Sequence, residues 1–164
     1  MGRFPDGFKI GSAVRAEVFV IWLNGAGIEL TGPSGPAPWA IELEAADHPV
    51  DVVDRLVRER FGPPVMVHST SWRHDGDALI LSFVVVVEAA SVRQLASAPI
   101  PRVELARSEA TAPPDEIGPE QVLEHALRHL AWLATEDPTV SVELPDRWRA
   151  ALAAYAPEPF RNLG

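Results

Sequence analysis

The chain has 164 residues, enough for one domain with a real core and short for two. Hydrophobic residues make up 47% and charged residues 23%, which places it with folded globular chains and apart from disordered ones. A net charge of -9 argues against nucleic acid and membrane surfaces as partners, and the absence of cysteine excludes disulfides, thiolate chemistry and cysteine-held zinc or iron-sulfur sites.

No run approaches the roughly 20 apolar residues of a membrane span. Residues 1–17 lack the uninterrupted apolar core of a signal peptide, so a cytoplasmic location is expected. The basic residues are almost all Arg and Ala is abundant, a usage that suggests a GC-rich bacterial source.

In chain order, 14–23 is β-branched and aromatic, and Asn24-Gly25-Ala26-Gly27 is a turn that folds it back onto a strand at 28–31. The Pro- and Gly-rich stretch 32–38 is irregular, and 39–44 alternates apolar with acidic residues as a half-buried strand does. Asp47-His48-Pro49 reads as a helix start. Val52, Val53, Leu56 and Val57 then recur at helical spacing until Gly62-Pro63-Pro64 ends the helix. Strands at 65–73 and 78–88 are joined across 74–77, and the unbroken apolar run of the second predicts a central strand covered on both faces. A further strand is expected within 99–106 and a loop over 107–118. Pro119 opens a helix to about residue 135, with Leu123, Leu127, Leu130 and Ala134 on one stripe. A short strand at 140–144 and a last helix over 145–156, carrying Trp148, Leu152 and Tyr155 on one side, complete the expectation.

The strand and helix order meets a motif at 41–63. This region resembles the Nudix hydrolase superfamily, whose box reads G-x5-E-x7-R-E-U-x-E-E-x-G-U, with U a bulky aliphatic residue. Without a gap, Ile41 stands at the first Gly, Asp47 at the first Glu, Arg55 at the Arg, Val57 at the aliphatic, Glu59 at the first Glu of the late pair and Gly62 at the closing Gly. Leu56, Arg60 and Pro63 replace a Glu, a Glu and the final aliphatic, and the Gly-Gly before the box helix is absent. The resemblance covers about half of the chain. It implies a Nudix-like α/β (α+β) fold with a mixed, largely antiparallel sheet. A single domain over 1–164 is expected, with 14–88 as sheet and box helix and 119–156 as a C-terminal helical part.

In the family, the box carboxylates bind a divalent ion, usually magnesium, which neutralises a diphosphate and activates water. Leu56 offers no ligand here, and Arg60 sets a positive charge where the family sets a negative one. Repulsion of a nearby dication there costs on the order of several kcal/mol. Two readings follow. The first is a catalytically silent module without a cofactor, binding a small anionic ligand or a protein partner through Trp39, Arg55, Glu59 and Arg60. The alternative is a magnesium-dependent hydrolase of nucleoside diphosphate derivatives whose ligands have moved to Glu42, Glu44 and Glu59. A plainer role for Glu59 is a surface ion pair with Arg55, four residues earlier on the helix.

Two other groups carry possible chemistry. His125 and His129 share a helix face and could chelate zinc, but a third ligand is not evident, and Ala126 stands where a metalloprotease motif has Glu. His68 beside Ser69 and Thr70 suggests a Ser-His pair, without a nucleophile elbow or an acid partner to complete it.

Overall fold

A run of β-branched and aromatic residues free of Gly and Pro, Val14–Asn24, forms β1, the strand around which the sheet is built. The computed structural model describes residues 13–25, 27–92, 95–102 and 117–155. Two short strands share one edge of β1 end to end. β2 (Gly27–Thr31) pairs antiparallel with its C-terminal half, from Val20↔Thr31 to Asn24↔Gly27, and β3 (Trp39–Leu43) pairs antiparallel with its N-terminal half, from Val14↔Leu43 to Val18↔Trp39. Between β3 and the next strand lies α1 (Pro49–Phe61). β4 (Met66–Asp75) then pairs antiparallel with β5 (Ala78–Val86), which runs parallel to β1 along its other edge, from Val14↔Leu79 to Ile21↔Val86. β6 (Ser97–Pro99) closes the far side against β2. The order is β4-β5-β1-β2-β6 with β3 beside β1. The chain is thus mixed α+β with a mostly antiparallel six-stranded sheet, as the sequence predicts.

Strand alternation sends successive side chains to opposite faces, and both faces are covered. On one, Ala16, Val18 and Val20 of β1 meet Phe83 and Val85 of β5, Trp39 of β3, and Val53, Val57 and Phe61 of α1. On the other, Phe19, Ile21, Val84 and Val86 meet Leu123, Leu127 and Leu130 of α2 (Pro119–Glu136). After α2 come α3 (Pro138–Glu143) and α4 (Asp146–Leu152), whose Trp148 and Leu152 join Tyr155 in the same core. Burying one Val- or Leu-sized side chain in this way stabilises by about 1.5–3 kcal/mol. β5 lies between β4 and β1 with a helix over each face, and for that reason its sequence is apolar without alternation.

Several boundaries differ from expectation. Residues 140–143 are helical in α3, not a strand, and Leu144 caps the helix with extended backbone. The Asp137 carboxylate accepts the backbone N–H groups of Thr139 and Val140 at 2.9 and 3.1 Å, and Pro138 stands in the first turn. This capping nucleates a helical turn that overrides the β-preference of two valines. Helical spacing directs Val140 and Leu144 inward, whereas Val142 is 86% exposed. The last helix spans only Asp146–Leu152, although Trp148, Leu152 and Tyr155 are buried together as expected. β6 at Ser97–Pro99 lies before the strand expected within 99–106 and shares only Pro99 with it; residues 100–102 are not strand, and residues 103–106 lie outside the described part, as does the 107–116 portion of the expected loop. On α1 the buried stripe is Val53, Val57 and Phe61, with Val52 and Leu56 only half-buried beside it. Among the described residues, no helix is long and apolar enough to cross a membrane.

Candidate functional site

The box-like residues are carried by α1 and the strand before it. Gly62 caps the helix at φ +78°, a conformation that costs glycine least, and its N–H donates to Arg58 O at 3.1 Å. This stop puts the side chains of the last turn against the end of β3. Trp39 is buried, 8% exposed, and meets Phe61 edge-on with ring centroids 6.1 Å apart. The Arg60 guanidinium lies over the same indole, its Cζ 4.7 Å from the ring centroid. Two of the four expected ligand-binding residues are therefore in direct contact.

Arg55 and Glu59 are exposed on α1 and do not pair with each other; the ion pair at that spacing on this helix joins Asp54 and Arg58 at 2.5 Å. Among the described residues no carboxylate pairs with Arg55 or Arg60. The Trp39 indole N–H is buried with no hydrogen-bond acceptor among those residues. Leaving such a donor unmet costs on the order of 1–3 kcal/mol, so it calls for an explanation.

The carboxylates of the alternative reading do not converge. Ile41 and Leu43 pack into the core on the α1 side, so Glu42 between them projects from the opposite face, where Arg15 Nε donates to it at 2.6 Å. Glu44 is exposed just beyond β3, and its backbone N–H donates to the Asp47 carboxylate at 2.8 Å. Asp47, at the family's first Glu, thus closes the turn leading into α1. Among the described residues, no group of three or more His, Asp or Glu side chains is placed to hold a metal ion.

The histidines form a second cluster, on the other face. His129 of α2 is buried, stacked on His68 of β4 at 5.4 Å between centroids and on Trp132 at 5.9 Å. His125, one turn earlier, is half-buried. Burial holds the His68 imidazole below its ordinary value of 6.5, His129 pushes it the same way, and Asp137 opposes both. Ser69 beside it is exposed, so no Ser-His pair forms, and His68 Nε2 has no hydrogen-bond partner among the described residues. Residues remote in sequence meet here through the packing of α2 on β4.

Two buried carboxylates, Glu17 and Glu124, are held by arginines. Arg73 grips Glu17 with both terminal nitrogens, at 2.7 and 3.0 Å, while Ser82 Oγ donates to the same carboxylate at 3.2 Å. Glu124 of α2 is fully buried and accepts from Arg102 at 3.2 and 3.3 Å and from Arg128 at 3.0 Å. Burial pushes its carboxyl up, but the two guanidiniums more than offset that and hold it below 4.5. The Glu124 and Arg128 spacing is a signal the sequence does contain; the three strands that unite Glu17, Arg73 and Ser82 leave none.

Comparison with protein-family models and with curated protein sequences finds no match to this chain. The chemistry of the site rests on its own residues. At the α1–β3 corner they offer positive charge: a guanidinium over an aromatic ring and a second, exposed guanidinium on the same helix.

Proposed function

We propose that the protein is a catalytically silent, Nudix-like module that binds a small anionic ligand at the corner of α1 and β3. The observation that carries this reading is Arg60, whose guanidinium rests over Trp39 without a carboxylate partner among the described residues. The contact with the indole restrains the guanidinium, and an arginine fork can bind a phosphate or carboxylate by two parallel hydrogen bonds without a metal ion. Arg55 adds positive charge on the same helix.

The hydrolase reading requires Glu42, Glu44 and Glu59 around one magnesium ion. Glu42 points from the opposite sheet face and is engaged by Arg15, which weighs against that reading. Calorimetric titration of the intact protein with ADP, inorganic pyrophosphate and citrate, each with and without EDTA, tests the proposal. Binding of at least one that is insensitive to EDTA, weakened by salt and lost in Arg60→Glu is the expected result. Magnesium-dependent turnover abolished by Glu59→Gln would establish the hydrolase instead. Absence of binding, or binding unchanged in Arg60→Glu, would remove the anion site and leave a protein partner as the occupant of this corner.

A further inference from the structure

On the sheet face away from α1, a cavity of about 420 Å3 opens where the first turn of α2 meets the 36–38 loop and β6. Phe19 of β1 and Leu30 of β2 form its floor and Leu123 of α2 one side. The volume falls within the roughly 300–1,000 Å3 of typical small-molecule sites. All three of these side chains belong to the core shared with α2, so the sheet separates this cavity from the Arg60 corner.

The walls are built to stay in place. Pro36 and Pro38 come from the loop, Pro99 and Pro101 from β6 and its extension, and Pro119 from the start of α2. Their fixed φ angles restrict the wall before any ligand arrives. The loop is folded back so tightly that a Cβ on Gly32 would lie 2.0 Å from Ala37 O and 2.7 Å from Gly35 O. Only glycine permits that fold, and the 36–38 wall depends on it. On the other side, β6 is fastened to β2 by Thr31 Oγ1 donating to Ala96 O at 3.0 Å and by Ser97 Oγ donating to Glu29.

The chemistry of the walls selects a ligand class. Proline has no N–H, so a proline-built wall shows apolar rings and carbonyl acceptors but few donors. At the α2 end, the Gly118 N–H is already taken by Gln121 Oε1 at 3.0 Å. The Glu120 carboxylate and the positive end of the α2 dipole stand together at the same end of the cavity and oppose each other, which favours neither an anion nor a cation. We infer that this cavity is a second binding site, for a small, uncharged and predominantly apolar compound that lies against the proline wall.

Indole is the probe, titrated into the isotope-labelled full-length chain and followed by amide chemical shifts. Saturable shifts at Leu30, Ala98 and Leu123, with Val53 and Val57 of α1 unmoved, are expected. Ala98→Phe, which fills the cavity from β6, should weaken binding at least tenfold while the amide spectrum stays folded. If that variant does not fold, Ala37→Trp fills it from the loop instead and should have the same effect. Lack of saturation up to millimolar indole, shifts centred on α1, or full affinity in the filled variant would each overturn the assignment. None of these outcomes depends on the Arg60 corner.

Discussion

Replacing Val57 with Ala should destabilise the protein by about 2–3 kcal/mol, and replacing its neighbour Leu56 with Ala by only about 1 kcal/mol, although leucine loses more atoms. Val57 is fully buried between α1 and the sheet, in a core that includes Val18, Phe83 and Val85. Removing two methyl groups there costs about 1.6 kcal/mol in transfer, at roughly 0.8 kcal/mol per carbon, and the residual cavity adds to it because the sheet below cannot collapse. Leu56 is half-buried at the flank of the helix, and water replaces its lost atoms. The contrast sharpens with charge. Val57→Asp places an unpaired carboxylate in the core and should cost 4 kcal/mol or more, by order of magnitude, whereas Leu56→Asp can turn to solvent at about 1–2 kcal/mol. For a chain of this size about 2–4 °C is lost per kcal/mol, so Val57→Ala should lower the melting temperature by roughly 5–10 °C and Leu56→Ala by half that or less. Urea and thermal unfolding followed by circular dichroism give both values. Equal losses at the two positions, or a greater one at Leu56, would mean that α1 is rotated about its axis, and the placement of Arg60 over Trp39 would fall with it.

The remaining expectations concern the ionisable groups and the caps. Glu124 has a depressed pKa in the folded state, so its contribution is present above 4.5 and is lost as pH falls through the lower folded value. Glu124→Gln should therefore flatten the acid limb of a stability-pH profile below about 4.5 while lowering stability at neutral pH. His68 is also depressed, from 6.5: the unfolded chain takes up a proton first as pH falls below 6.5, and stability is lost until the folded value is passed. His68→Phe should remove that slope just below pH 6.5, and an unchanged slope would show that His68 is not the group responsible. Asp137→Ala should cost about 1 kcal/mol by uncapping α3, with Asp137→Asn recovering most of it; equal losses in the two would refute the capping assignment.

Much of the first half of the fold was legible in the sequence because its signals are local. The turn at Asn24-Gly25, the alternation at 39–43, the Pro49 start and Gly62 stop of α1, and the apolar run of β5 each specify an element from neighbouring residues alone. The second half was less so, because competing local signals were close in strength. Two valines favour a strand at 140–144, and the capping by Asp137 tips that segment into α3. β6 is only three residues long and exists through what it pairs with, the edge of β2.

The candidate site divides along the same line. Alternation along 39–44 and the helical spacing of 49–61 already imply that Arg55, Glu59 and Arg60 share one helix and that Trp39 and Glu42, three residues apart on a strand, face opposite ways. Which face α1 covers depends on long-range packing, and that single choice places Arg60 on Trp39 and leaves Glu42 to Arg15. The tertiary structure likewise decided that β5 runs parallel to β1, that His68 stacks on His129, and that Glu17 meets Arg73 across β5. Periodicity records which residues share a face of their own element. The partner of that face is set by the joint burial of apolar surface and buried charge across the whole chain, a sum to which no short window of sequence has access.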